Sequence, residues 1–127
     1  MDGISIPGGV LTSATLKKAY LQNVHLSEAN LYKVDLSEAV LDTSWLTDAD
    51  LRCAKLCGAS LEAAILVGAK FDGADLSGAN LKSALVTPKQ LTKAKSLRSC
   101  VMPSGTPYDP QKSLDEQCVL LLTEKAT

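Results

Sequence analysis

Aromatic side chains are scarce in this chain, 4% of residues with one Phe and one Trp, so no interior can be built around packed rings. Histidine occurs once, at His25, which removes the nucleophile–base arrangements and histidine clusters on which hydrolases and zinc enzymes rest. Neither a Gly-x-Ser-x-Gly turn nor a glycine-rich phosphate loop is present. The chain is therefore not expected to be an enzyme, and neither a cofactor nor a metal site is expected. No apolar run approaches the ~20 residues that span a bilayer, and Met1-Asp2-Gly3-Ile4 lacks the basic and apolar stretches of an export signal. As written, the sequence reads as cytoplasmic; an oxidising compartment such as a periplasm or thylakoid lumen is the alternative if a targeting segment has been removed. Charge of one sign is missing too: 13 Lys and Arg stand against 14 Asp and Glu, a net charge of −1. No global field draws the chain to nucleic acid or to an acidic membrane, and neither is expected as a direct partner.

What is abundant is small and aliphatic, and it is periodic. An aliphatic residue, or Phe71, recurs at every fifth position from Ile6 to Val86, and from Ala14 onward a small residue stands two places before each. The unit is Ala-x-Leu-x-x. On a straight helix, steps of ~100° per residue would scatter these leucines around the circumference. On a flat strand an odd period would send alternate leucines to opposite faces. The chain must turn once per repeat, so that each Ala-x-Leu is a short inward-facing side and the next two residues form a corner. Leu31, Leu51 and Phe71, and beside them Leu36, Leu56 and Leu76, are then the expected core ladder.

The units Ala29-Asn30-Leu31, Ala49-Asp50-Leu51, Ala74-Asp75-Leu76 and Ala79-Asn80-Leu81 resemble the Ala-(Asp/Asn)-Leu-x-x signature of pentapeptide-repeat proteins, over residues 4–88. The resemblance implies an all-β solenoid, a right-handed quadrilateral β-helix with four repeats per coil. About four coils at ~4.8 Å spacing would make a rod about 20 Å tall. Within the sequence, the 20-residue step gives Asp35, Lys55, Asp75 and Lys95 in one column and Asp50 with Lys70 in another, alternating in sign as stacked neighbours should.

Three regions follow: an N-terminal cap and degenerate repeats over 1–13, the repeat solenoid over 14–88, and a C-terminal cap with short helices and a loop over 89–127. Thr87 and Pro88 predict a helix start, with a short helix over 91–97. A second helix is expected over 110–125, with Ser113 and Glu116 as its capping box and Leu114, Cys118, Leu121 and Leu122 on one face. That stripe either packs on the solenoid or serves a dimer; the monomer is the favoured state. Cys53 and Cys57 face outward at opposite ends of one side, beyond the ~7 Å between Cα atoms that a disulfide bridges. Cys100 and Cys118 leave two readings, a disulfide in an oxidising compartment or two buried thiols.

One outward column, His25, Trp45, Ile65 and Leu85, with Val67 nearby, makes an apolar stripe that carries the single Trp. It is expected to receive either the chain's own C-terminal segment or a protein partner. The leading functional expectation is a non-catalytic protein-interaction scaffold. The resemblance also implies a second reading, imitation of duplex DNA toward a type II topoisomerase, but residues 14–83 carry nine acids against seven bases, too weak a charge for a duplex mimic. A third is a solenoid module of a larger protein or effector.

Overall fold

A computed structural model describes residues 5–118. Parallel backbone bridges link each residue of four columns to its counterpart twenty places on: Ser5, His25, Trp45, Ile65, Leu85; Val10, Asn30, Asp50, Lys70; Thr15, Asp35, Lys55, Asp75; and Tyr20, Val40, Ser60, Asn80. Each side is too short for more than a single bridge, so the ladder consists of isolated bridges around a four-cornered coil. The bonding is the same at every step. The Leu31 amide donates to the Asp50 carbonyl at 2.8 Å, and the Asp50 amide donates to the Ala29 carbonyl at 2.9 Å.

The corners follow from the two residues after each central Leu. The amide of the next small residue closes a turn onto the Leu carbonyl, as Val34 does onto Leu31 at 3.0 Å, and the residue before it has a positive φ at every corner from Gly8 to Ser83. This is the type II turn, which favours Gly at that place. Here Lys33, Glu38, Cys53 and Ala63 occupy it at φ of 58–60°, a conformation that costs an L-residue roughly 1–2 kcal/mol. The favoured Asp or Asn before Leu has a local cause: the Asp35, Asp50 and Asp75 carboxylates and the Asn30 and Asn80 amide oxygens each accept from the backbone N–H two residues on, at 3.0–3.2 Å. The side chain bridges the corner and satisfies an amide the turn would otherwise leave open.

Both inward positions seal the interior. Leu31, Leu51, Phe71, Leu36, Leu56 and Leu76 are all buried, as are Ala29, Ala49, Ala54 and Ala74. One polar residue interrupts them: Ser44 takes an Ala position, fully buried, and its hydroxyl has no hydrogen-bond partner. At the front, the ladder includes Ser5 and Val10, within the region expected to hold a cap and degenerate repeats. Gly9 stands where Ala would, and a Cβ there would lie 2.6 Å from Ile6 Cγ2.

The back differs from the sequence expectation. Helix α1, Pro88–Leu91, is a single turn, with Thr87 as N-cap, a capping box to Gln90, and Pro at its start. The expected helix over 91–97 is absent; the coil resumes instead. Ser96 bridges Asp75 and Val101 bridges Asn80, while Leu91, Leu97, Cys100 and Met102 enter the core. One residue is inserted on the way. The Lys95 amide donates to the Ala74 carbonyl at 2.7 Å and the Ser96 carbonyl accepts from Leu76 at 3.0 Å, so both stand opposite one residue, a bulge. Ser96, rather than Lys95, thus pairs with Asp75, and its hydroxyl accepts from the Arg98 amide at 3.1 Å as an Asp would.

Helix α2, Leu114–Gln117, is likewise one turn, N-capped by the Ser113 hydroxyl, which accepts from the Glu116 amide. Pro110 and Gln111 form a turn and Lys112 a bend instead of the expected first helical turn. The rest of that expected helix, with Leu121 and Leu122, lies outside the described residues. Gln117 is buried and pins the tail: its side-chain NH2 donates to the Asp109 carbonyl at 2.9 Å and its Oε1 accepts from the Asp109 amide at 2.7 Å.

Candidate interaction face

Since interior and corners absorb the core residues and the Asx turns, chemistry has only the outward positions to use. On the first face the ladder stacks His25, Trp45, Ile65 and Leu85 one above another, held by bonds such as Leu26 to Trp45 and Leu46 to Ile65, both 2.8 Å. The His25 and Trp45 rings lie 5.4 Å apart between centroids with planes tilted by 34°, an offset contact in the favourable range for aromatic pairs. Trp45 remains 45% exposed, Leu85 44% and, at the corner beside the column, Val67 54%. Ile65 is half-buried. Residues 24–28, 44–48 and 64–68 contain no Lys or Arg, while Glu28 and Asp48 stand at their corners. The face is therefore apolar down its centre with an acidic edge. At its lower end Val67, Leu85 and Val86, with Gln90 and Cys118, line a cleft of about 260 Å³.

The second face is polar and self-paired. Arg52 Nε and Nη2 donate to the two Asp50 carboxylate oxygens at 2.8 Å each, and the guanidinium lies 5.4 Å from the centre of the Tyr32 ring. The twenty-residue step from Tyr32 to Arg52 was available in the sequence and names this contact; a search confined to the position before each Leu passes over it. On the third face, Lys55 and Lys17 help hold Asp35 ionised, after hydrogen bonds from Ser37. Among the described residues, the direct ion pair is Arg52–Asp50.

The titrating groups show what these faces are suited to. Hydrogen bonds from Arg52 hold the Asp50 carboxyl below its usual range, and those from Ser77 do the same for Asp75. Carboxylates tied down as ionised turn acceptors are poor proton shuttles, because a general acid or base works near the ambient pH. Burial pushes Cys100 up to about 12 and Cys118 up to about 11. Both, like Cys53 and Cys57, are free thiols. The bridge held open for Cys100 and Cys118 is not formed, and its chemistry is disfavoured here because the thiolate is the form that attacks. Among the described residues, no three His, Cys, Asp or Glu side chains are grouped to hold a metal ion, and no helix is long and apolar enough to cross a membrane.

Two residues that secure the lower end escaped the sequence reading. The Gln90 side-chain NH2 donates to the Leu66 carbonyl at 2.7 Å and the Ala69 carbonyl at 2.8 Å, closing off carbonyls of the last regular coil. Gln117 is the other. A Gln three residues after a Thr-Pro start was a capping-box signal that names Gln90; nothing local distinguishes Gln117.

A four-cornered coil with a sealed aliphatic interior and freely varied outer positions defines a repeat solenoid. The family model for pentapeptide repeats matches residues 10–44 and 46–82 in eight copies, and the chain belongs to that family. Its members fold as right-handed quadrilateral β-helices. Among solved structures, a pentapeptide repeat protein from Nostoc is 27% identical, with a TM-score of 0.63 over 94% of this chain and 98% of its own. One from the cyanobacterium Cyanothece is 26% identical, with a TM-score of 0.38 over 84% of this chain and 89% of its own. A third, from the Arabidopsis thaliana thylakoid lumen, is 22% identical, with a TM-score of 0.39 over 91% and 88%. No curated protein matches the chain.

Proposed function

We propose that this chain is a non-catalytic binding scaffold, a right-handed β-helix that works as a monomer and receives a protein partner on its first face, at His25, Trp45 and Ile65. The observation that carries the reading is Trp45: the one Trp of the chain, 45% exposed and stacked on His25 in an apolar column. Large exposed aromatics ringed by polar residues are where interfaces concentrate their binding energy. With Glu28 and Asp48 at its edge, the face fits a partner surface of aliphatic or aromatic anchors with basic neighbours. The cytoplasm is part of this proposal.

Affinity capture followed by mass spectrometry tests it, comparing wild type with Trp45→Ala and with Arg52→Ala on the second face. The expected result is a partner lost with Trp45→Ala and kept with Arg52→Ala. Retention of every specific partner by a folded Trp45→Ala protein would refute the assignment of the face. DNA mimicry is the weaker reading, because the outward charge alternates in sign instead of accumulating.

A further inference from the structure

The ladder on the second face ends one step short. In that column the Leu11, Leu31 and Leu51 amides donate in turn to the Asn30, Asp50 and Lys70 carbonyls at 2.8, 2.8 and 2.9 Å. Phe71 is the next donor, but the residues that a further coil would lay beneath it, Pro88–Leu91, are wound into α1. Pairing resumes at Gly73, whose amide donates to the Lys93 carbonyl at 3.0 Å. Among the described residues the Phe71 amide has no acceptor, although Phe71 is buried. Such a donor is rare, because folding takes it from water without returning a bond. Beside it lies a cleft of about 220 Å³, lined by Lys70, Asp72, Lys89 and Lys93 with the buried Ala69 and Phe71 at its floor. Its charge is unbalanced. None of the three lysines belongs to the direct ion pair found among the described residues, and Asp50, which Lys70 meets in the ladder, is taken by Arg52. From residue 76 to 108 the chain carries five bases, Lys82, Lys89, Lys93, Lys95 and Arg98, and no acid.

We infer that this cleft binds the phosphoryl group of a phosphate monoester, with the Phe71 amide and the Lys70, Lys89 and Lys93 ammonium groups as donors. Three lysines against one Asp leave a net charge of +2 in the lining, which matches the charge of about −1.5 to −2 that a phosphate monoester carries at pH 7. A carboxylate brings about half that charge and two acceptor oxygens instead of three. Register gives one oxygen its place: it stands to the Phe71 N–H as the Lys70 carbonyl stands to the Leu51 N–H. Lysine suits the remaining oxygens, because an ammonium is a point charge with rotatable donors on a flexible stem. In a cleft these attractions are screened less than on an open surface, and the Ala69 and Phe71 floor accepts the carbon body of the ester. A free ester and a phosphorylated side chain present the same group, and the experiment separates them. The cleft lies off the first face, so the inference stands whether or not Trp45 meets a partner.

The test is an NMR titration of the isotope-labelled full chain, read at the Phe71 amide, with phenyl phosphate and with an otherwise neutral phosphoserine peptide. In wild type the Phe71 amide proton should move downfield and saturate, with a Kd of about 1 mM or tighter at physiological salt. Lys89→Gln with Lys93→Gln should weaken binding at least ~10-fold. Lys95→Gln with Arg98→Gln removes the same charge from the same end and should weaken it less than ~3-fold. Tighter binding of the phenyl ester assigns the site to a free small molecule, and tighter binding of the peptide to a phosphorylated protein; either supports phosphoryl recognition. A Phe71 amide that stays in place up to roughly 20 mM ester would overturn the inference. So would equal losses from the two pairs of substitutions, which would mean a general attraction to the basic end, or benzoate binding as tightly as phenyl phosphate. If the variants fail to fold, the Phe71 amide of the wild type still decides.

Discussion

Ser44→Ala is expected to stabilise the protein, although it removes a polar group from a hydrogen-bonding fold. Ser44 is fully buried and its hydroxyl has no partner; the same column holds Val24, Ala64 and Ala84, each buried. A hydroxyl taken from water without a replacement bond costs about 1–3 kcal/mol. Removing the oxygen forfeits its dispersion contacts, a few tenths of a kcal/mol for a handful of atom pairs at ~0.1–0.2 each. The net gain should be about 1–2 kcal/mol, and at roughly 3–5 °C per kcal/mol for a domain of this size, the thermal midpoint should rise by several degrees. Urea denaturation at pH 7 reads it, with an unchanged m-value showing that the same surface unfolds. The converse variant, Ala59→Ser, puts a hydroxyl between the buried Ala39 and Ala79 and should lose a similar amount. A Ser44→Ala protein less stable than wild type would refute the reasoning, since the hydroxyl must then be bonded in the folded state.

Three further outcomes follow from the corners and the lower end. Ala63→Gly, at φ of 59°, should gain about 0.5–1 kcal/mol, because relief of the left-handed conformation outweighs the entropy glycine loses; Ala63→Val should lose stability, both read by urea midpoint. Gln90→Ala orphans the Leu66 and Ala69 carbonyls and should cost about 2 kcal/mol, with exchange accelerating first in residues 88–101. Asp35, Asp50 and Asp75 are all held below the usual carboxylate value of 3.8. Their stabilising contribution is therefore complete above that value and is lost as pH falls through the lower folded values. Replacing the three by Asn keeps the turn acceptors, as Asn30 and Asn80 show, and should flatten the acid limb of a stability-against-pH curve below about pH 4; an unchanged limb would contradict this.

How far the sequence reveals this molecule depends on how many times each rule is repeated. The period of five runs through the inward positions from residue 14 to 86, so the twenty-residue ladder and the burial of Leu31, Leu51 and Phe71 are legible from the sequence. The tail states its rules once. There Leu91 and Leu97 stand six apart, Cys100 takes the place of Ala and Met102 that of Leu, so one inserted residue hides a continuation of the coil behind what reads as a new helix. The period looks broken there, and the bulge at Lys95 and Ser96 restores it.

The same contrast explains why the face is harder to read than the core. A pentapeptide unit commits two positions to the interior, and Asp or Asn, where present, commits a third to its own corner. The outer positions thus have no partner in the repeat rule, and each must be judged by its own neighbours. Asp35 follows the twenty-residue alternation with Lys55, yet its carboxylate is held by the hydrogen-bonded turn first and by charge second; Tyr32 and Arg52 stand twenty residues apart at a position outside the repeat signature and touch all the same. Among the described residues, His25, Trp45 and Ile65 form an outward, ladder-stacked apolar run that neither an Asx turn nor an ion pair accounts for. That column contributes nothing to the closed interior, and it is the reason the proposed partner is assigned to this face.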